Sequence, residues 1–183
     1  PIDRASLDTP EDAFVVAASG RFVPRKGFDV LIRAVAQLPG AYLWLLGDGQ
    51  ERGALEALTH ELGIADRVRF SGWVAEPIHA IAAADPSRHE PLGNTLLEAW
   101  QAGVPTVSSR SEGPEWFMRD GIDGIMTEID DHTAIAAGLA RIRDDKALAA
   151  SYVAAARERL EQYFSKDAVV DAYLRVFSGD FGH

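Results

Sequence analysis

Apolar and polar positions fall into blocks along this chain, and the period changes from block to block. Short, nearly unbroken apolar runs of the kind a strand buried on both faces requires occur at 14–18, 42–46, 68–70, 106–108 and 124–128. Between and beyond them, apolar residues recur at helical spacing over 28–38, 51–62, 77–84, 95–102, 115–119 and 133–143. Strands alternating with helices predict an α/β fold built on a doubly wound, Rossmann-like parallel sheet. The tail breaks the alternation. Residues 146–164 and 166–177 form two successive helical stretches, with Ser165 placed to cap the second. Residues 1–11, polar and acidic with two prolines, read as a linker. The expected organisation is thus a linker over 1–11, a sheet domain over 12–164 and a C-terminal helix and tail over 165–183.

Composition narrows the function classes. At 183 residues, with 47% hydrophobic and 25% charged content, the chain can bury a full core and is not a disordered segment. A net charge of −10 excludes a nucleic-acid binder working through its overall field, so its basic residues matter locally. The absence of cysteine removes disulfide and thiolate chemistry and fits a cytoplasmic setting. No apolar run reaches the roughly 18 residues of a membrane-spanning helix, and no signal peptide is visible. The chain opens on Pro1 without a methionine, and the expectation is a part of a longer protein. Histidines at 60, 79, 89, 132 and 183 lack metal-ligand spacing. Asp130 and Asp131 read as charges complementing a helix dipole, so no metal is expected.

Two segments carry candidate chemistry. The first runs from Glu90 through Gly93, Asn94 and Thr95 into the helical residues Leu96, Leu97 and Glu98. Gly93 permits a ligand close to the backbone, Asn94 is a good N-cap, and the free N–H groups beyond it suit a phosphate. Side chains on a helix tilt toward its N-terminus, so Glu98 leans toward the ligand that Glu90 meets from the loop. Two carboxylates beside a phosphate cradle suit a phosphate that carries hydroxyl-rich groups on both sides. The plain alternative is a capped helix with two solvated glutamates. The second segment follows the first strand: Gly20, Arg21, Phe22, Val23, Pro24, Arg25, Lys26 and Gly27 form a glycine-bounded basic loop at a strand's carboxyl end, where anions bind in open α/β sheets. Gly47-Asp48-Gly49 lacks the spacing of a dinucleotide fingerprint and reads as a tight turn beside the pocket.

Taken together, these segments resemble the C-terminal half of retaining glycosyltransferases of the GT-B fold, family 4 or group 1. Further matches are Arg67 to Trp73, Pro86 to Glu90, the seven residues between Glu90 and Glu98, Ala102-Gly103-Val104-Pro105 and Asp120 to Gly124. The wording around Ser111 to Glu115 is most similar to bacterial enzymes of lipopolysaccharide assembly. The resemblance implies a hexosyltransferase-type enzyme taking a nucleotide-diphosphate sugar, independent of metal and of any other cofactor. It implies that Arg21, Lys26 and the amides at 93–96 hold the diphosphate, and that Gly20 lies beside them. Glu90 would then meet the donor sugar and Glu98 the ribose, with Gly72, Trp73 and Val74 at the base. His89 either touches the sugar or packs the loop.

The resemblance further implies that the acceptor site lies on an N-terminal domain absent from these residues. The last helix crosses back toward that domain, and the full-length enzyme associates peripherally with the inner face of the membrane. Other readings are a nucleotide-sugar-binding half-domain without catalysis, a damaged non-functional fragment, or a sugar-nucleotide epimerase, which needs further acid/base residues near the donor, with no clear candidates beyond His89 and Glu112. One departure stands out. In the relatives a central strand precedes the Pro86-Ser87-Arg88 match, whereas here Asp85 runs directly into Pro86. Either the strand is absent, or residues are missing, or 78–84 is recruited in its place; missing residues are the favoured expectation.

Overall fold

The structure, a computed structural model, describes residues 4–73 and 82–178. Six strands form one parallel sheet: Val15–Ser19 (β1), Tyr42–Leu46 (β2), Val68–Gly72 (β3), Ala82–Asp85 (β4), Thr106–Ser109 (β5) and Ile125–Thr127 (β6). Their order is β3-β2-β1-β4-β5-β6. Chain order reverses between β1 and β4, which pair Val16 with Ala82 and Ala17 with Ala83. The helices are Phe28–Ala36 (α1), Arg52–Glu61 (α2), Asn94–Gln101 (α3), Glu112–Phe117 (α4), His132–Asp144 (α5), Lys146–Tyr163 (α6) and Lys166–Phe177 (α7).

Alternation along β1 and β2 sends successive side chains to opposite faces of the sheet. Val16, Ala18, Leu43 and Leu45 belong to the main core with residues of α1, α2 and α5. Val15, Ala17, Trp44 and Leu46 form a smaller cluster. Leu96 and Trp100 of α3 pack with Phe117, Met118, Met126 and Ala156 in a third. Both faces of the central strands are dry, which is why their sequences are apolar without interruption.

The segment ahead of β1 is packed on the sheet. Trp44 donates its indole N–H to the buried Thr9 hydroxyl at 3.0 Å, and Arg69 donates to the carbonyls of Leu7 and Asp8 at 2.6 Å each. Arg4 closes the segment by donating to the carbonyls of Pro10 and Ala13. These bonds satisfy polar groups that would otherwise be stranded at the sheet edge.

The expected helix over 77–84 is overturned at its end. Ala82, Ala83 and Ala84 are strand, seated between β1 and β5. Residues 77–81 lie outside the described residues. Of the three explanations for the abrupt Asp85-Pro86 junction, recruitment accounts for the strand, and missing residues are not needed to fill the slot. Alanine favours helix, but a slot between two strands with unpaired backbone groups outweighs that preference. Other boundaries shift. α4 begins at Glu112 and not at 115, and α5 begins at His132 behind Asp131, whose carboxylate accepts from the Ala134 amide at 2.8 Å.

Candidate functional site

In a doubly wound sheet, ligands bind at the carboxyl ends of the strands where the order reverses. Here that crevice lies between the loop after β1 and the loop after β4. The β1 loop is shaped by close backbone approach. A Cβ on Gly47 would stand 1.9 Å from the Gly20 carbonyl oxygen, so the Gly47-Asp48-Gly49 turn lies directly against the loop. Phe22 donates its amide to the Asp48 carbonyl at 2.9 Å. Pro24–Lys26 form a 3-10 turn ended by Gly27 at φ 63°, where a Cβ would meet the Pro86 carbonyl oxygen at 2.1 Å. Only glycine lets the two loops touch there.

The touching loops bring Lys26 to Glu90. The Lys26 ammonium donates to Oε2 of Glu90, and Oε1 accepts from the amides of Gly93 at 3.0 Å and Leu92 at 3.3 Å. Glu90 is only 9% exposed. Burial by itself pushes its carboxyl up, but the Lys26 bond, the Gly93 and Leu92 amides and the Lys26 charge outweigh it. The net effect holds Glu90 below the ordinary glutamate range. It is therefore an ionised carboxylate held near the crevice.

Arg88 joins the same two loops from behind. Its guanidinium forks onto Asp29 and also donates to Asp130 and to the Pro24 carbonyl. The amides of Arg88 and His89 donate to the Arg25 carbonyl at 2.8 and 3.3 Å. On the other side, Glu112 accepts from the Glu90 amide at 3.3 Å and lies 2.6 Å from His89 Nδ1. Its carboxyl is lowered first by its own backbone N–H, then by His89.

The helix N-terminus differs from expectation in two respects. Gly93, at φ 70°, occupies the N-cap position, and Asn94 is the first helical residue with no side-chain cap bond. A Cβ on Gly93 would meet the Phe117 ring at 2.8 Å, so packing excludes a residue that could cap. Nor are all four amides at 93–96 free. Gly93 donates to Glu90, and Leu96 donates to the Gly93 carbonyl at 3.0 Å with its side chain in the core. Among the described residues, the amides of Asn94 and Thr95 have no acceptor. The Thr95 hydroxyl donates to Asp85 Oδ2 at 3.1 Å, which fixes the first turn to β4.

Other expected residues are placed less directly. Arg21 is exposed and has no partner among the described residues. Glu98 is exposed and lines a groove of about 520 Å³ with Asn94, Gln101, Arg157 and Phe164. No hydrogen bond or ion pair joins it to Lys26 or Glu90 among the described residues. Gly20 and Gly72 are part-buried, and Trp73 is 68% exposed at the end of β3. Val74 and His79 lie outside the described residues. Among the described residues, no group of three or more His, Asp or Glu side chains could hold a metal ion, and no helix is long and apolar enough to cross a membrane.

Sequence reasoning assigned no role to Arg88, Asp29 or Asp85. The one available signal was a basic residue, Arg88, two positions before the candidate Glu90. Asp29, two residues past Gly27, reads in sequence as an ordinary dipole-complementing acid.

Comparison with known proteins identifies the family and the fold. The profile of the family described as glycosyl transferases group 1 matches residues 1–159. The lipopolysaccharide core biosynthesis glycosyltransferase LpsE of Rhizobium meliloti is 51% identical over 181 residues, covering 97% of this chain and 53% of that protein. LpsD of the same organism is 50% identical over 181 residues with the same coverage of 97% and 53%. The Anabaena protein HepE, solved in complex with UDP-glucose, superposes with a TM-score of 0.85 at 26% identity, over 92% of this chain and 49% of its own. The chain spans about half the length of the relatives it matches. From the matched residues and the sheet they build, the chain belongs to the group 1 glycosyl transferases.

Proposed function

We propose that these residues form the donor-binding half of a retaining glycosyltransferase that takes a nucleoside diphosphate sugar. In the longer protein, the hexosyl group would pass to an acceptor in lipopolysaccharide core assembly. The names of LpsE and LpsD support that setting, and the UDP-glucose complex of HepE supports a UDP-sugar donor. The observation that carries the reading is the Lys26–Glu90 pair across the crevice where strand order reverses.

Breaking the bond between sugar and phosphate leaves negative charge on the departing diphosphate. Groups already aimed at that charge lower the barrier most. Lys26, Arg21 and the amides of Asn94 and Thr95 supply them, with Gly20 leaving room for the phosphates. Glu90 takes hydroxyls of the donor sugar; an ionised carboxylate accepts from a vicinal diol at no cost in protonation. Glu98, on the wall of the α3 groove, takes the ribose hydroxyls. Gly72, Trp73 and Val74 frame the base. No metal and no further cofactor enters this scheme.

Acceptor recognition, and any association with the cytoplasmic membrane face, belong in this reading to an N-terminal partner domain. These residues alone then bind donor without transferring it, a second reading favoured by their covering half of each relative. Calorimetric titration with UDP-glucose, UDP, GDP and ADP is the direct test. Binding of UDP-glucose, weakened by Glu90→Gln, supports the proposal. Failure to bind any nucleoside diphosphate or its sugar at millimolar concentration rejects it.

A further inference from the structure

We infer that Glu112 is a positioning residue for Glu90, fixing the donor-sugar carboxylate through its main chain. The first turn of α4 holds both sides of the Glu90 peptide. The Glu90 N–H donates to Glu112 Oε2 at 3.3 Å, and the Gly113 amide donates to the Glu90 carbonyl at 2.7 Å. A Cβ on Gly113 would lie 2.7 Å from the Leu92 carbonyl carbon and 2.8 Å from the Glu90 oxygen, so this turn presses directly on the loop. The opposite edge is held by the Arg25 carbonyl, which accepts from Arg88 and His89. The segment is therefore clamped by loops from both neighbouring strands; on the β5 side the Ser109 hydroxyl bonds the Ser87 carbonyl, and Glu112 reaches the Glu90 amide itself.

Two features separate this role from general support. Glu112 has an exposed side chain, while α4 is anchored by the buried Pro114 and Phe117, so removing the carboxylate leaves the packing intact. Its second oxygen lies 2.6 Å from His89 Nδ1, which fixes the rotamer from which the first oxygen reaches the Glu90 amide. An exposed acid held this way contributes little to folding and a great deal to where its neighbour points.

The inference rests on the reading that Glu90 meets the donor sugar, and the test separates the two. UDP and UDP-glucose are titrated against the wild type, Glu112→Ala, Glu112→Gln and Glu90→Gln, while amide exchange at Glu90 is followed by NMR. Glu112→Ala should weaken UDP-glucose on the order of five- to tenfold, leave UDP within about twofold, and expose the Glu90 amide to exchange. Glu112→Gln keeps an acceptor oxygen and should recover most of the loss. Continued protection of the Glu90 amide in Glu112→Ala overturns the positioning role whatever the ligands do. So does equal weakening of UDP and UDP-glucose, or no weakening of either. A Glu90→Gln variant that binds both ligands as the wild type does would instead overturn the donor reading, and the inferred consequence with it.

Discussion

Arg88 forks onto Asp29, with Nη1 to Oδ1 at 2.9 Å and Nη2 to Oδ2 at 2.8 Å. One residue follows the strand on one side of the crevice and the other opens the helix after the strand opposite it. A planar fork on a carboxylate fixes orientation as well as distance. Asp130 and the Pro24 carbonyl take further donors, so one side chain ties three loops together. Both partners are part-exposed, which discounts the pair. Arg88→Ala should cost about 1–2 kcal/mol, and Arg88→Lys should recover less than half of it because a point charge cannot fork. Chemical denaturation midpoints measure both; a loss fully restored by lysine would mean charge alone matters.

Acid should loosen the same region. Glu90 and Asp29 are both held below their ordinary carboxyl range: in each, burial pushes upward and is outweighed, by Lys26 and the loop amides for Glu90 and by Arg88 for Asp29. A carboxyl whose folded value is depressed contributes stability that is fully present above its unfolded value, near 4. That stability is lost as pH falls through the folded value. The stability difference between wild type and Glu90→Gln should therefore be flat from pH 7 to about 5 and shrink below about 4. A difference that widened on acidification would reverse the sign of the argument.

The two basic residues of the β1 loop should behave differently. Arg21 is exposed and unpaired among the described residues, so Arg21→Ala should leave thermal stability unchanged. It should weaken UDP about tenfold, and UMP less, because a charge-assisted bond to the second phosphate is lost. Lys26→Ala should weaken UDP and also lower stability, since it strips the cation from the nearly buried Glu90. If Lys26→Ala melted with the wild type, the pair would hold nothing in place.

How much of this was legible in the sequence depended on whether a feature was local. β1 and β2 were plain because both of their faces are buried and nothing polar interrupts them. The Ser165 cap was plain too: its hydroxyl accepts from the Ala168 amide at 3.2 Å, as the spacing predicts. β4 was hidden because three alanines carry a helical preference, and only the slot between β1 and β5 makes them a strand. Lys26 and Glu90 were each legible as members of a loop. Their pairing was not, because it joins positions 64 apart and depends on Gly27 lying against Pro86. The Arg88 fork was hidden for the same reason, with partners 59 and 42 positions away.

In the proposed site, the charge offered to a diphosphate comes from Arg21, Lys26 and two helix-terminal amides. Magnesium at such sites commonly takes one or two carboxylates together with the phosphates. Glu90, at the crevice, is ion-paired with Lys26, whose positive charge repels a divalent cation but not a sugar hydroxyl. EDTA should therefore leave UDP affinity unchanged by calorimetry. A loss restored by one divalent ion and by no other would show that a cation, and not the basic loop, carries the phosphates.

The last helix presents the wrong face to water. In α7, Tyr173, Leu174 and Phe177 are 63%, 60% and 83% exposed, although their spacing is that of a core-facing stripe. Side chains that bury so little surface contribute little to this domain's own stability. Tyr173→Ser, Leu174→Ser and Phe177→Ser should each cost less than about 0.5 kcal/mol in thermal unfolding, against the 2–5 kcal/mol typical of truncating a large core residue. The same changes should lower the binding of an apolar dye. The triple variant should show both effects together, with an unchanged melting temperature and a weaker dye signal. A drop of several kcal/mol would place the stripe inside the domain's own core, leaving α7 with no apolar face for anything beyond it.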